Sequence, residues 1–316
     1  MNMVISTGYF QIRISFIILS LFSLFMFSCK DKSSTDPSPE ESINGNIAFS
    51  SDRDGEPRIY LMDETGQNLK KVTDDIIIHT QGEQYVFPSF SRDGKKIAFI
   101  VYPTGSAQYG IGKVNSDGSD KRLVGSGVPD LQMVNEISAP TWTSYEDVFF
   151  VAGHPDGLYY YSGNTGINRI DAEWCFSMYG CSMYVSPSAC LMDDSGVIFG
   201  TESKIILIKF DGQVSILFDG IGHNECPSYS PDKSKIVTGN GQDIFVMNAN
   251  GSNLLQLTSN NGLNKYPVWS PDGKKIAFSS SRDGNFEIYV MNSDGSNQTN
   301  LTHNSGIDFG PTWARK

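Results

Sequence analysis

Residues 267–280 read PVWSPDGKKIAFSS, and residues 88–101 read PSFSRDGKKIAFIV. A turn, a strand and their spacing recur together, so the chain is built from repeats, and the period sets the fold. Pro267 opens a short extended run through Val268 and Trp269. Pro271-Asp272-Gly273 reads as a tight turn, because proline presets φ, Asp bonds nearby backbone and Gly takes φ > 0. Lys275 to Ser280 is rich in strand formers. Ser281-Arg-Asp-Gly284 is a second turn, Glu287 to Met291 a third strand, Asn292-Ser-Asp-Gly295 a third turn, and Gln298 to Thr302 a fourth strand. The unit is a four-stranded antiparallel meander.

The opening proline sets the phase. It recurs at Pro88, Pro140, Pro187, Pro227, Pro267 and Pro311, with gaps of 52, 47, 40, 40 and 44 residues. Two residues on stand Phe90, Trp142, Ala189, Tyr229, Trp269 and Trp313, on the same strand face as the proline. Second strands are expected at 46–51, 96–101, 147–152, 196–200, 235–239 and 275–280. Third strands are expected at 58–62, 158–162, 204–210, 243–247 and 287–291. Four-stranded units of this length are propeller blades. The first unit lacks a proline-aromatic strand, and Gly310-Pro-Thr-Trp-Ala314 lacks a strand after it. The expected fold is therefore all-β: a six-bladed β-propeller of four-stranded antiparallel blades. The C-terminal strand completes the N-terminal blade, which leaves no open edge.

The pattern P-x-W-S-P-D-G-K-x-I-A-F-x-S-x-R-D-G-x-x-x-I-Y-V-M-x-x-D-G-S resembles the WD40-like PD40 repeat of the TolB β-propeller family. The match is close in the last unit and good over Pro227 to Thr258. It extends to parts of the first two units and is poor in the third and fourth. The resemblance implies the propeller. TolB's N-terminal α/β domain has no counterpart in the pattern, so TolB's complete role is not implied.

The N-terminus carries a different signal. Arg13 is the only charged side chain before Cys29, and residues 14–28, ISFIILSLFSLFMFS, are an apolar run. This is the layout of a signal peptide, too short for a comfortable span of roughly 20 residues. Met26-Phe-Ser-Cys29 looks like a lipobox, with Cys29 the acylated first residue of a lipoprotein. Lys30 to Ser42 is a polar, Pro/Ser-rich tether with nothing to bury. The expected organisation is a signal peptide at 1–28, a lipid-anchored tether at 29–43 and the propeller at 44–316. The expected location is the bacterial cell envelope, facing the periplasm or the surface. The net charge is −11, and −12 without the first 28 residues. An acidic chain gains nothing from phosphate counterion release, so nucleic acid is not an expected partner.

Catalytic motifs are missing. There is no G-x-S-x-G elbow, no phosphate-binding G-x-x-x-x-G-K-[ST] and no H-E-x-x-H. The D-x-D-G at 52–55 lacks the remaining acidic positions of a calcium loop and reads as a hairpin turn. No cofactor or metal is implied.

The register assigns two faces. The Asp-Gly turns joining first to second and third to fourth strands form one, the turn face. Links between second and third strands and between blades form the other, the link face. Variable loops on a rigid frame are where function usually sits. His79, His223 and His303 fall in inter-blade links, and His154 in a second-to-third-strand loop. Tyr85, Glu83, Asn224, Glu225, Asn304 and Asp308 accompany them. The longest link, Asp171 to Ser186, holds Trp174 and Tyr179 and suits partner contact or a plug over the channel mouth. Cys175 and Cys181 in that link are a candidate disulfide, while Cys190 and Cys226 sit at different offsets from their prolines. Cys226 beside His223 has no third group to orient a nucleophile. The expected function is a lipid-anchored, monomeric binding or scaffold propeller. Its link face holds His79, Glu83, Tyr85, His154, Trp174, Tyr179, His223, Asn224, Glu225, His303 and Asp308 toward an envelope protein or glycan. The alternative is a carbohydrate-active lyase or hydrolase with a His/Glu-lined mouth.

Overall fold

The computed structural model describes residues 47–73, 84–102, 110–124, 140–142, 148–151, 157–162, 166–171, 189–193, 196–200, 203–209, 213–220, 222, 224–259 and 262–315. Among them there is no helix, and the strands form six four-stranded sheets paired antiparallel. Sheet 1 joins β1 (Ile47–Ser51), β2 (Arg58–Met62) and β3 (Lys70–Lys71) to β24 (Asp308–Trp313). Sheet 2 holds β4 (Gln84–Phe90), β5 (Lys96–Tyr102), β6 (Gly110–Asn115) and β7 (Arg122–Leu123). Sheet 3 holds β8 (Thr141–Trp142), β9 (Val148–Val151), β10 (Gly157–Ser162) and β11 (Gly166–Asp171). Sheet 4 holds β12 (Ala189–Asp193), β13 (Gly196–Gly200), β14 (Lys204–Lys209) and β15 (Val214–Asp219). Sheet 5 holds β16 (Glu225–Tyr229), β17 (Lys235–Gly239), β18 (Ile244–Asn248) and β19 (Leu255–Gln256). Sheet 6 holds β20 (Asn264–Trp269), β21 (Lys275–Ser280), β22 (Glu287–Asn292) and β23 (Thr299–Asn300).

The expected second and third strands are found within a residue or two. In sheets 1, 2, 5 and 6 the fourth strand pairs over only two residues, that of sheet 6 over Thr299–Asn300 against the expected Gln298 to Thr302, while those of sheets 3 and 4 run six residues. The C-terminal strand pairs with the first strand of the chain, Ile47 opposite Trp313 and Ser51 opposite Asp308.

Second strands such as IAFSS (47–51) are buried along their whole length rather than alternately. The core explains this, because it lies between sheets and not on one side of each. Ile59 and Leu61 of sheet 1 pack with Ile97 and Phe99 of sheet 2. Phe49 and Met62 pack with Ile288 and Val290 of sheet 6. Sheets 5 and 6 share Val237, Val246, Ile276 and Phe278, and sheets 4 and 5 share Ile205, Ile236 and Met247. Each fully buried Ile or Phe in these seams contributes roughly 1.5–3 kcal/mol. First strands also touch in sequence around the molecule: β4 meets β24, then β20, β16, β12 and β8 follow, and β8 meets β4.

The repeated words have local causes. In S-x-D-G at 91–94 and 270–273, and in Ser230-Pro-Asp-Lys233, Asp93, Asp232 and Asp272 accept from the hydroxyls of Ser91, Ser230 and Ser270 at 2.6, 2.6 and 2.7 Å. The same carboxylates accept from the backbone N–H of Lys95, Ser234 and Lys274. The glycine of the next turn seats one sheet on another. A Cβ at Gly251 would stand 2.0 Å from the Leu217 carbonyl oxygen, and at Gly66 2.4 Å from that of Leu301. The aromatic two residues after the proline ties sheets together: Trp142 Nε1 donates to Ser89 O at 2.8 Å and Trp269 Nε1 to Ser228 O at 3.2 Å. The residue before the proline adopts positive φ in four sheets, at Phe87, Cys226, Tyr266 and Gly310, where the first strand bulges.

Candidate functional site

The link face is built from the starts of the first strands. In three sheets the residue three before the proline donates its N–H to the preceding sheet's second-to-third-strand loop. Tyr85 N reaches Pro57 O at 2.9 Å, Asn264 N reaches Gln242 O at 2.9 Å, and Asp308 N reaches Phe286 O at 2.8 Å. The register carries Asp308 opposite Ser51 and Asn264 opposite Ser280.

In sheets 1 and 6 an arginine fills the space above this position. Arg53 donates through Nε to Ser51 Oγ at 2.8 Å and through Nη2 to Asp308 Oδ2 at 2.8 Å. Arg282 donates to Ser280 Oγ and to Asn264 Oδ1, both at 2.9 Å. Each guanidinium lies over two rings: Arg53 over Phe49 and Tyr60, Arg282 over Phe278 and Tyr289. The aspartate that follows each arginine accepts from a tyrosine hydroxyl, Tyr60 to Asp54 at 2.6 Å and Tyr289 to Asp283. That hydrogen bond is the main cause holding the carboxyls of Asp54 and Asp283 below the usual carboxylate range. Burial, with the same hydrogen bond, raises the Tyr289 hydroxyl to about 12. The 52–55 segment is thus a hairpin turn, closed by Gly55 N to Asp52 O at 2.8 Å.

Around Asp308 lies a polar knot. Asn304 Nδ2 donates to Asp308 Oδ2 at 2.5 Å, and Ile307 N to Asp52 Oδ1 at 2.6 Å. Glu287, buried, accepts from the Thr302 hydroxyl and from Asn304 N at 2.8 Å. Burial raises the Glu287 carboxyl above its ordinary value, and the Asp308 charge adds to the rise. Three side chains on this face leave buried polar atoms without a partner: both amide atoms of Asn224, Oε2 of Glu225 and Oδ1 of Asp308. Two apolar side chains stand exposed at equivalent places, Leu263 and Ile307, each four residues before its proline.

Of the sequence candidates, Asn224, Glu225, His303 and Asp308 are described on this face. His303 is exposed, with φ 40°. Glu225 accepts from Lys265 Nζ at 3.4 Å. Tyr85 is a core residue: it is 1% exposed, packs 5.3 Å from the Phe99 ring and lies under the Arg58 guanidinium. Cys226 is buried. His79, Glu83, His154, Trp174, Tyr179, His223, Cys29, Cys175 and Cys181 lie outside the described residues. Sequence reasoning passed over Arg53, Arg282, Asn264 and Glu287. Their signal was present: R-D-G follows the second strand in two repeats, and Asn, Asn and Asp stand three residues before Pro227, Pro267 and Pro311. Among the described residues, no three His, Cys, Asp or Glu side chains converge as a metal requires.

Comparison with solved structures places this architecture. TolB from Acinetobacter baumannii superposes with a TM-score of 0.68 at 20% identity, over 86% of this chain and 67% of that one. Hydrazine synthase from Kuenenia stuttgartiensis gives 0.65 at 16% identity, over 86% of this chain and 47% of that one. A chain of a nidogen/laminin complex gives 0.61 at 13% identity, over 85% and 98%. These likenesses concern the fold, which serves proteins of unrelated activity. Residues 198–316 match the family model for PD40, the TolB beta propeller domain. That match runs from β13 to the end of the chain, so this part carries a PD40 domain, and the described architecture shares its fold with TolB.

Proposed function

We propose that this chain is a closed, six-bladed binding propeller that presents its link face to a protein partner at the bacterial cell envelope. The succession of contacts among first strands and the pairing of β24 with β1 support six blades in a closed ring. One observation carries the functional reading. The turn face spends its repeated Asp and Ser groups on its own turns. The link face keeps unpartnered buried atoms at Asn224, Glu225 and Asp308 beside exposed Leu263 and Ile307. Exposed apolar side chains among polar groups left unpaired are what a partner surface supplies for. The likeness to TolB in fold supports an envelope setting. An anchor through acylated Cys29 with the 29–43 tether would hold the monomeric propeller 44–316 at the membrane. A glycan is the other partner class that this polar, aromatic-bearing face would suit. The lyase or hydrolase reading has no favouring arrangement among the described residues, because Glu287 and Asp308 are held by Asn304 and Arg53 in internal bonds.

The test is capture of partner from the native envelope by two variant sets. The link-face set carries Leu263→Asp, Ile307→Asp and alanine at His79, Trp174, Tyr179, His223 and His303. The turn-face set carries alanine at Lys95, Lys233 and Lys274. Capture is expected to be lost in the first set and retained in the second. The reverse result would place the partner on the turn face. The native chain is expected to incorporate radiolabelled palmitate and Cys29→Ser to incorporate none; equal labelling would remove the anchor.

A further inference from the structure

We propose that the outer edge of β15 in sheet 4 is a second docking surface, which takes an extended, basic segment of another protein as a fifth strand. This surface is separate from the link face and does not depend on it. β15 is the terminal strand of its sheet, with β14 on one side and no strand beyond it among the described residues. It runs six residues, Val214–Asp219, and reads VSILFD. The outer strands of sheets 1, 2, 5 and 6 pair over two residues only, and Lys70, Lys71 and Arg122 stand in two of them. β11 of sheet 3 is as long as β15 but carries Asn168, Arg169 and Asp171. Short outer strands and charged residues blunt a sheet edge against added chains. β15 is long, and its first five residues carry no charge.

The register says which backbone groups face outward. Lys209 N donates to Gln213 O at 2.8 Å. Ile208, Leu207 and Ile206 then stand opposite Val214, Ser215 and Ile216. Hydrogen-bonded and non-bonded pairs alternate in an antiparallel ladder. Ser215 therefore turns its N–H and C=O to β14, and Val214 and Ile216 turn theirs away from it. Beyond Ile216 the edge is covered, since a Cβ at Gly251 of sheet 5 would stand 2.0 Å from the Leu217 carbonyl oxygen. The open stretch offers an extended chain two N–H and two C=O groups.

The side chains single out the same place. Opposite Tyr60, Phe245 and Tyr289 of the third strands stand Lys71, Gln256 and Asn300, and opposite Ile206 stands Ile216. The three polar residues each donate to an aspartate in the second-to-third-strand loop of their own sheet. Lys71 reaches Asp54 at 2.9 Å, Gln256 reaches Asp243 at 3.0 Å and Asn300 reaches Asp283 at 3.1 Å. Ile216 can make no such bond and is 42% exposed. Sheet 4 thus replaces a polar side chain that has internal work with an apolar one in solvent. An added strand would set its own apolar side chain beside Ile216 and cover it.

A second copy of this chain suits the edge poorly. Each copy carries a net charge of −11 and repels its like. Two rigid propellers meeting along Val214 to Ile216 would also cover far less than the roughly 1,200 Å² of a stable interface. A flexible segment has neither handicap, and the acidic chain favours lysine or arginine within it.

The experiment titrates the full chain with the peptide acetyl-KVTVTVK-amide and follows backbone amides by nitrogen-15 NMR and hydrogen exchange. Saturable shifts centred on β15 are expected with Kd of about 1 mM, since four backbone bonds and one side-chain contact cannot bind tightly. Exchange of the Val214 and Ile216 amides should slow at least about tenfold at saturation. The peptide residue opposite Ile216 lays its side chain beside it and points its N–H at β15. N-methylation of the valines should therefore abolish binding, and N-methylation of the threonines should leave it. Val214→Pro removes an outward N–H that makes no bond to β14, so it should keep the fold and weaken binding at least about tenfold. Ile216→Asn, which copies Asn300, should weaken binding about fivefold. Equal binding of the two methylated peptides would overturn strand addition, as would Val214 and Ile216 amides that already exchange slowly in the free chain. Equal affinity for acetyl-EVTVTVE-amide would overturn the choice of a basic occupant. Sedimentation showing a dimer that protects these amides without peptide would make a second copy the occupant and sink the proposal.

Discussion

The turn face and the link face are made by the same repeat, yet they treat polar groups in opposite ways. On the turn face the copies in sheets 2, 5 and 6 do the same thing. Asp93, Asp232 and Asp272 each receive a serine hydroxyl and a backbone N–H two residues on. Hydrogen bonding to the serine is the leading cause that holds the Asp232 carboxyl down to about 2 and lowers that of Asp272. On the link face one repeat position is a carboxylate under arginine in sheet 1, an amide under arginine in sheet 6, an amide with nothing in sheet 5 and a buried tyrosine in sheet 2. A feature held constant across repeats serves the fold. A feature that varies while its neighbours stay constant is free to serve something else.

The largest effect should come from removing the sheet 1 arginine. Arg53→Met keeps the apolar stem but leaves Asp308 buried with an uncompensated charge, at a cost of about 3 kcal/mol. Urea unfolding of Arg53→Met against Lys274→Ala measures the contrast between faces. The lysine variant, on a residue whose pair with Asp272 is exposed, should change stability by less than about 0.5 kcal/mol. An Arg53→Met cost that small would mean that Asp308 is hydrated and the latch is ornamental.

The second contrast separates two glycines that share a turn role. Both Gly251 and Gly284 have positive φ, 81° and 112°. A Cβ at Gly251 would collide with the Leu217 carbonyl oxygen at 2.0 Å, while one at Gly284 meets nothing within 4 Å. Gly284→Ala should therefore cost only the conformational strain, about 1 kcal/mol. Gly251→Ala adds an inter-sheet clash and should cost about 2–3 kcal/mol. Equal losses in thermal unfolding would show that sheet 5 can slide away from β15.

The third contrast is between two tryptophans. Trp269→Phe loses the hydrogen bond to Ser228 O and should cost about 1 kcal/mol beyond the change in ring size. Trp313 is equally buried, but its Nε1 has no partner. Trp313→Phe removes an unsatisfied donor and should cost less. Chemical denaturation of both single variants checks the sign of the difference.

Much of this was written in the repeat itself. The strands that bury seams between sheets carry KIAF and IYVM words, whose composition alone marks them. The short fourth strands escaped because Thr299–Asn300 pairs only two residues, and polar text continues on both sides. The strand bulge before Pro88, Pro227 and Pro267 was invisible because Phe87, Cys226 and Tyr266 are not residues that announce positive φ. The link face was located by its variability, and Asp308, Asn224 and Glu225 were picked for their charge or amide. Arg53 and Arg282 were read as turn residues because R-D-G also makes a good turn. Their partners lie in the first strand of the sheet, 255 residues away in the case of Asp308, and no local pattern links the two.

The smallest expected effect sharpens the link-face side of the comparison through pH. Glu287 is buried, its carboxyl is raised by desolvation and then by Asp308, and its bonds to Thr302 and Asn304 only partly oppose the rise. A carboxyl whose folded pKa exceeds its unfolded value binds its proton more readily in the folded chain. Its contribution to stability is then full below the ordinary value of 4.5 and declines as pH rises through the raised folded value. Glu287→Gln keeps a carbonyl oxygen for Asn304 N and cannot ionise. The stability of the native chain relative to Glu287→Gln should therefore fall between pH 4.5 and neutrality, by under about 1 kcal/mol. Thermal unfolding of both proteins across that range reads the difference directly. A difference that stays flat, or that grows with pH, would mean that the hydrogen bonds from Thr302 and Asn304 outweigh burial, and that Glu287 is held as a carboxylate by the 302–308 link. The same series on Asp232→Asn runs the opposite way. Its carboxyl is lowered to about 2 by hydrogen bonds from Ser230 and Ser234, so its contribution is present above the unfolded value and lost as pH falls through the folded one. Opposite slopes from the two carboxylates would show that burial governs on the link face and turn geometry on the other.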